Sequence, residues 1–340
     1  VRLVRERRIR APELVPAGWA AGETQLIGAL RGRVVLLDFF SFADPAGVAA
    51  LPHLRLLHEH YRDSGLTVIG VHVPAYPFER PVAAARQEVW RLGIPYPVAL
   101  DQDFRVFRAY ESRDLPARFV VDAQGFVRGW SHGPGGLVEA ERAVRSLLRE
   151  AAPGRALPHV VELPAGMSRP GGLLWLASPE IRFGTHGVGF GPPEADDPRP
   201  DPGETRDFGA LPELRAQGRA YLEGRWTVHE SRIVAGEGAG MAVVFEGASA
   251  QAVLSVEDPE GDPPRLEVTL DGSAPDAEAA GADLETDGRG HAFLPLGPGR
   301  LYDLLSAAEF GVHNLSLRVR GRGVAIHLLH FGSSEVPEEA

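Results

Sequence analysis

The 340-residue sequence contains no cysteine and no lysine, and only two methionines. Without cysteine there is no disulfide, no thiolate nucleophile and no cysteine-ligated zinc or iron–sulfur centre, whatever the compartment. Without lysine there is no Schiff-base amine and no P-loop lysine, so every strong base is a guanidinium. No apolar run approaches the roughly 20 residues that cross a bilayer as a helix, so no membrane span is expected. An apolar h-region after the charged start Val1-Arg2-Leu3-Val4-Arg5-Glu6-Arg7-Arg8 is also missing. A cytoplasmic location is therefore the default expectation, and an export signal trimmed from ahead of Val1 would make it extracytoplasmic. Positive charge is in deficit as well, with 35 basic against 46 acidic side chains and a net charge of -11. Nucleic acid is excluded as an expected partner, because phosphate binding needs a basic face. The arginine-rich first ten residues are the local exception and read as a solvated tail.

The chain is 44% hydrophobic and 24% charged, a globular composition, and its length exceeds that of a single core. Two domains are expected, at 1–152 and 173–340, with a Pro-, Gly- and Ala-rich linker at 153–172. In the first, the apolar run Val34–Phe40 has the length of a strand buried on both faces. Leu51, Leu54, Leu57 and Tyr61 then recur at helical spacing within Ala49–Tyr61. Leu66–Val73 reads as a second buried strand, Val82–Leu92 as a second helix, and Phe104–Tyr110 as a short third one. Strand–helix–strand–helix order predicts a parallel α/β unit. Arg118–Asp122 and Phe126–Trp130 flank a hairpin turn at Asp122–Gly125, and a last helix covers Leu137–Arg149. The second domain changes pattern: short alternating runs such as Met241–Phe245, Ala252–Val256, Leu266–Leu270, Asn314–Val319 and Val324–Leu329 predict a β-sandwich or jelly roll. Pro192–Gly203 reads as a loop without regular structure.

Particular stretches carry a resemblance. Arg10-Ala11-Pro12-Glu13-Leu14, Leu30–Phe39, Leu51-Pro52, Gly70-Val71-His72, Tyr96–Asp101 and Leu115–Gly125 make the first domain similar to thioredoxin-like domains of the AhpC/TSA and TlpA-like group. Ser178–Gly184, Leu222–Val228, Val268–Gly272 and Arg300–Leu304 make the second resemble the C-terminal β-domain of DipZ-like thiol-disulfide proteins, a module likened to carbohydrate-binding domains. The resemblance implies a thioredoxin-like α/β fold, a central mixed sheet flanked by helices, followed by an all-β sandwich. It also implies a C-x-x-C motif after the first buried strand, and alignment places its two cysteines at Asp44 and Gly47. Pro116 falls at the family's cis-proline position.

Neither a carboxylate nor a glycine hydrogen can attack a disulfide, so no catalytic residue is assigned. Asp44 reads as a helix cap with Pro45 in the first turn. His53, His58 and His60 lie near one helix but lack metal-ligand spacing, and neither a metal nor a cofactor is expected. Gly187, Gly189 and Gly191 alternate without the βαβ context of a nucleotide loop. Trp175, Trp226, Arg300 and Tyr302 are the candidate ligand-binding set of the β-domain, as a stacking platform with a guanidinium for hydroxyls; the alternative is that the aromatics are core. Three functions stay open: a redox-inactive binding or scaffold protein recognising a glycan, a peptide or a protein; an enzyme with non-thiol chemistry at a carboxylate or histidine site; and an oligomeric or regulatory partner of an active oxidoreductase.

Overall fold

The computed structural model describes residues 2–3, 9–162, 174–187, 200–257, 263–306 and 310–335. Most of the arginine-rich start, the second part of the expected linker, Gly189, Gly191 and most of the Pro192–Gly203 loop lie outside the described residues. Two compact units divide the chain, Val1–Pro170 and Gly171–Ala340.

The first unit is built on a mixed sheet. Its strands are β1 (Gly18–Ala21), β2 (Val34–Phe40), β3 (Leu66–His72), β4 (Val98–Leu100), β5 (Ala117–Val121) and β6 (Phe126–His132). They run in the order β6-β5-β2-β3-β4-β1, and the two-residue pieces Arg2–Leu3 and Ile9–Arg10 pair onto β6. β2 is parallel to β3 and β3 to β4, whereas β5 and β6 continue antiparallel. All seven residues of β2 are buried, which follows from its apolar run and central place. Helices α1 (Pro45–Tyr61), α2 (Val82–Arg91), α3 (Arg105–Ala109) and α4 (Leu137–Ala151) cover the sheet. Val34, Leu36 and Phe40 form one core with Leu51, Leu54 and Leu57 of α1 and Val144 and Leu147 of α4. Val35, Leu37 and Phe39 point the other way, into a second core with Tyr110 and Phe119. The alternation along β2 thus supplies both layers.

Residues 153–162, expected as the start of a linker, lie on this unit instead. Leu157 and Val161 pack on its core, and the Val161 N–H donates to buried Glu141 at 2.9 Å.

The second unit consists of antiparallel strands in two principal sheets, as the short alternating runs required. Sheet one contains β7 (Glu204–Asp207), β9 (Arg225–Val228), β10 (Ile233–Ala235), β12 (Ser249–Val256), β15 (Arg300–Leu305) and β17 (Val324–Gly332). Its order is β7-β9-β10-β17-β12-β15. Sheet two contains β8 (Arg219–Glu223), β11 (Gly240–Gly247), β13 (Arg265–Leu270), β14 (Ala292–Pro295) and β16 (Gly311–Arg320), in the order β8-β11-β16-β13-β14. Trp226, Ile326, Leu254 and Tyr302 from sheet one share a core with Met241, Phe245, Leu266, Leu315 and Leu317 from sheet two. Among the described residues no helix is long and apolar enough to cross a membrane.

Candidate functional site

Residues 41–47 leave the end of β2 and enter α1. Asp44 is extended (φ -92°, ψ 117°), and its Oδ2 accepts the Gly47 N–H at 2.7 Å, with Pro45 in the first turn. This is a side-chain N-cap: the carboxylate satisfies a donor that the helix leaves free and sits at the positive end of its dipole. Gly47 is packed closely as well. A Cβ there would lie 3.0 Å from Asp44 Oδ2 and 3.3 Å from the Ser41 carbonyl. The Leu115–Pro116 bond is cis. Ala117 pairs with Phe39, which places Pro116 beside the end of β2.

The segment before the cap is anchored by a fully buried carboxylate. Glu79 accepts the Ser41 hydroxyl (2.8 Å to Oε2), the Ala75 and Tyr76 N–H groups (3.0 Å each, to Oε1) and His72 Nε2 (3.1 Å). The Ser41 hydroxyl oxygen in turn accepts the Ala43 N–H at 3.0 Å. His72 stacks on Phe42, 5.0 Å between ring centres. Glu79 therefore ties the loop after β3 to the loop that carries Asp44. Ser41 itself is fully buried, so its hydroxyl serves this network and is closed to a substrate.

Below α1 lies a second buried polar group. Arg118 on β5 is the cross-strand neighbour of Asp38 on β2, and Nε stands 3.0 Å from Oδ1. The approach is not aligned as a hydrogen bond, since neither Asp38 oxygen has a hydrogen-bond partner; Arg118 Nη1 instead donates to the Gly135 carbonyl at 2.7 Å. The pair is a charge contact between two buried side chains. Burial outweighs the Arg118 charge and raises the Asp38 carboxyl from 3.8 to about 6. Tyr96 and His53 face the same interior. Burial and the Asp38 charge raise the Tyr96 hydroxyl well above its ordinary value, and burial lowers His53.

The three histidines of α1 separate. His53 is fully buried, His58 is half-buried, and His60 is exposed with Nε2 2.8 Å from the His159 carbonyl. Among the described residues no group of three or more histidine, aspartate or glutamate side chains could hold a metal ion.

The aromatic and arginine set of the β-unit separates too. Trp226 (1% exposed) and Tyr302 (1%) belong to the sandwich core, on β9 and β15, with three strands between them. Trp226 Nε1 donates to the Glu223 carbonyl at 3.0 Å, and the Tyr302 hydroxyl donates to the Pro298 carbonyl at 2.8 Å. Arg300 lies over the Tyr302 ring at 3.8 Å and forks onto Asp283 at 2.7 and 2.9 Å. Trp175 is 40% exposed and packs on Phe310, 5.3 Å between ring centres. These residues form no common platform.

A polar trough on the outer face of sheet two was not singled out in the sequence. It measures about 230 Å³, with Leu211 at one side and Glu223, Glu267, Arg318, Thr269 and Ser316 along its walls. Its only signal in the sequence is the set of polar positions that alternate with core residues in the runs Leu266–Leu270 and Asn314–Val319.

Comparison with known proteins agrees with this architecture. Residues 10–129 match the AhpC/TSA family, and residues 178–332 match the family described as thioredoxin like C-terminal domain. Protein DipZ of Mycobacterium tuberculosis is 42% identical over 129 residues, covering 38% of this chain and 19% of DipZ, so the chain spans about a fifth of that relative's length. The thiol-disulfide oxidoreductase YkuV of Bacillus subtilis is 28% identical over 143 residues, covering 41% of this chain and 94% of YkuV. A thioredoxin-like protein solved in solution in its oxidised form overlays 42% of this chain and 97% of its own, with 27% identity and a TM-score of 0.39. Residues 10–129 thus carry an AhpC/TSA domain and residues 178–332 a thioredoxin-like C-terminal domain, in a sequence that has no cysteine.

Proposed function

We propose that the protein is a redox-inactive recognition protein, in which a thioredoxin-like unit serves as an interface or scaffold and the β-unit recognises a glycan, peptide or protein ligand. The observation that carries this reading is the Asp44–Gly47 cap. The helix start that would position an attacking thiolate holds a carboxylate bonded to a backbone N–H, and the sequence has no other thiol to take over. An enzyme with non-thiol chemistry is less well supported. Asp38, His53, His72, Glu79 and Ser41 are all buried, and a general acid or base must reach its substrate.

A second reading, as a regulatory partner that occupies the thioredoxin-binding surface of an active oxidoreductase, is favoured by one feature. Tyr76 and Phe78 are half-buried and stacked at 5.3 Å, and Phe78 lies 6.3 Å from Phe42, two residues before the cap. Insulin reduction driven by dithiothreitol separates both readings from a thiol oxidoreductase. The purified chain should leave the rate at the dithiothreitol-only background, and turnover above it would defeat the proposal.

A further inference from the structure

Sheet two turns one face to the sandwich core and the other outward. Met241, Leu222, Leu317 and Leu266 point inward, so their neighbours Gly240, Glu223, Arg318 and Glu267 project from the opposite face. Backbone register places these four side by side on adjacent strands: Glu223 opposite Gly240, Gly240 opposite Arg318, and Arg318 opposite Glu267. The next outward positions bring Ser316 opposite Thr269.

Gly240 gives this row its depth. A Cβ there would lie 2.8 Å from Glu223 Oε2 and 3.7 Å from Arg318 Nη2, so the missing side chain lets the Glu223–Arg318 pair lie against the sheet. Arg318 Nη2 meets Glu223 Oε2 at 2.7 Å, and Arg320 forks onto Glu267 at 2.8 and 2.9 Å. The hydroxyls of Thr269 and Ser316 make no hydrogen bond with a described residue and are open to a ligand.

We propose that this trough binds a neutral saccharide, with Glu223, Glu267, Arg318, Thr269 and Ser316 reading its hydroxyl groups. This deepens the recognition role given to the β-unit and rests on it. The charges are already paired within the protein, so an ionic ligand would have to displace a partner and gain little net Coulomb energy. A sugar hydroxyl needs no displacement. It donates to a carboxylate lone pair left over from the arginine fork and accepts from a guanidinium or a serine or threonine hydroxyl. The fork from Arg320 also lowers the Glu267 carboxyl, which keeps it an acceptor in mildly acid solution.

The test is affinity electrophoresis of the full chain through native gels containing a soluble neutral galactan, glucan or mannan, with heparin as an anionic comparison. At least one neutral polysaccharide should retard the wild type. Thr269→Ala/Ser316→Ala should weaken retardation about tenfold, as expected for loss of two modest hydrogen bonds, and Trp175→Ala should leave it unchanged. Ser316→Leu, which fills the trough, provides a second variant, and buried Trp226 emission reports that each variant is folded. If retardation survives both trough variants, this site is wrong while the saccharide reading stands. If it is lost only in Trp175→Ala, the ligand lies at the exposed tryptophan and the trough is again wrong. Should no neutral polysaccharide retard the wild type, with or without retardation by heparin, both the trough and the saccharide reading fall.

Discussion

At the scale of single residues, the buried Asp38–Arg118 contact governs how the first unit answers to pH. Its two charges are held together in the interior without an aligned hydrogen bond, so attraction does not make up for lost hydration. A folded-state carboxyl at about 6 against 3.8 means that the folded protein holds the Asp38 proton more tightly than the unfolded chain does. Stability from this group is full below pH 3.8 and falls as pH rises to about 6, by about 3 kcal/mol in all. Asp38→Asn should remove that decline, which urea unfolding of wild type and variant at pH 4, 5, 6 and 7 would measure as a flatter curve for the variant. Arg118→Leu should act in the opposite sense. With the guanidinium gone, an uncompensated carboxylate costs about 3–5 kcal/mol at pH 7 and less at pH 5, where Asp38 takes up a proton. Equal losses at both values would show that the cost comes from packing alone.

At the scale of elements, α1 retains what a thiol site would need except the thiols. Its start points the Gly47 N–H, now bonded to the Asp44 carboxylate, and the positive end of the helix dipole at position 44, the environment that lowers a cysteine pKa. Asp44→Ala should cost about 1 kcal/mol through the lost cap. Asp44→Cys/Gly47→Cys removes the carboxylate that crowds a Cβ at position 47 and should restore a disulfide-forming pair with insulin-reducing activity. A double variant that folds but stays inactive would mean that the surface around the helix start has diverged beyond the two cysteines.

The same elements show what the sequence made legible. β2 matches its expected limits, Val34–Phe40, because six apolar residues interrupted only by Asp38 and bounded by Arg33 and Ser41 have few alternatives. α1 begins four residues before the periodicity of Ala49–Tyr61 does, at Pro45, because its first turn is fixed by the Asp44 cap and by proline rather than by apolar spacing. β1, Gly18–Ala21, carries no period-2 signal and exists through pairing with β4, a tertiary contact that no local pattern encodes. The tail at 157–161 reads as linker for a similar reason: its hold on the first unit depends on Glu141, whose buried carboxylate accepts the Tyr61 hydroxyl at 2.5 Å as well as the Val161 N–H. The site shows the same limit. Loss of the cysteines is visible from composition, but Trp226 and Tyr302 could be told from a ligand platform only by their burial. The trough depends on register between strands distant in sequence.

At the scale of the whole molecule, two units with separate cores titrate through different groups, and acid should act on them differently. In the β-unit, burial lowers His327 from 6.5 to about 4, with Arg232 acting in the same direction, and its Nε2 lies 2.9 Å from the Ser255 hydroxyl. The unfolded chain therefore takes up this proton before the folded unit does. The stabilising contribution of neutral His327 is complete above pH 6.5 and is lost as pH falls towards 4, by about 3 kcal/mol. Glu180, Glu267, Asp271 and Asp287, all lowered, extend the loss further into acid, while Asp303, raised by burial, opposes it. In the first unit the signs oppose one another, since Asp38 gains stability on acidification while lowered His53 and His58 lose it. The β-unit should accordingly be the acid-labile one. In a Trp19→Phe background, which removes the half-buried tryptophan of the first unit, Trp226 (1% exposed) provides the readout, because Trp90, Trp130 and Trp175 are 83%, 41% and 40% exposed and change less on unfolding. The red shift of Trp226 emission should move to lower urea as pH falls from 7 to 4, while far-ultraviolet helix signal, carried by α1, α2 and α4, persists to higher urea. His327→Gln should remove about 3 kcal/mol of that pH dependence. A helix signal lost together with the tryptophan shift at every pH would show that the two units unfold as one, with acid lability no longer assignable to the sandwich.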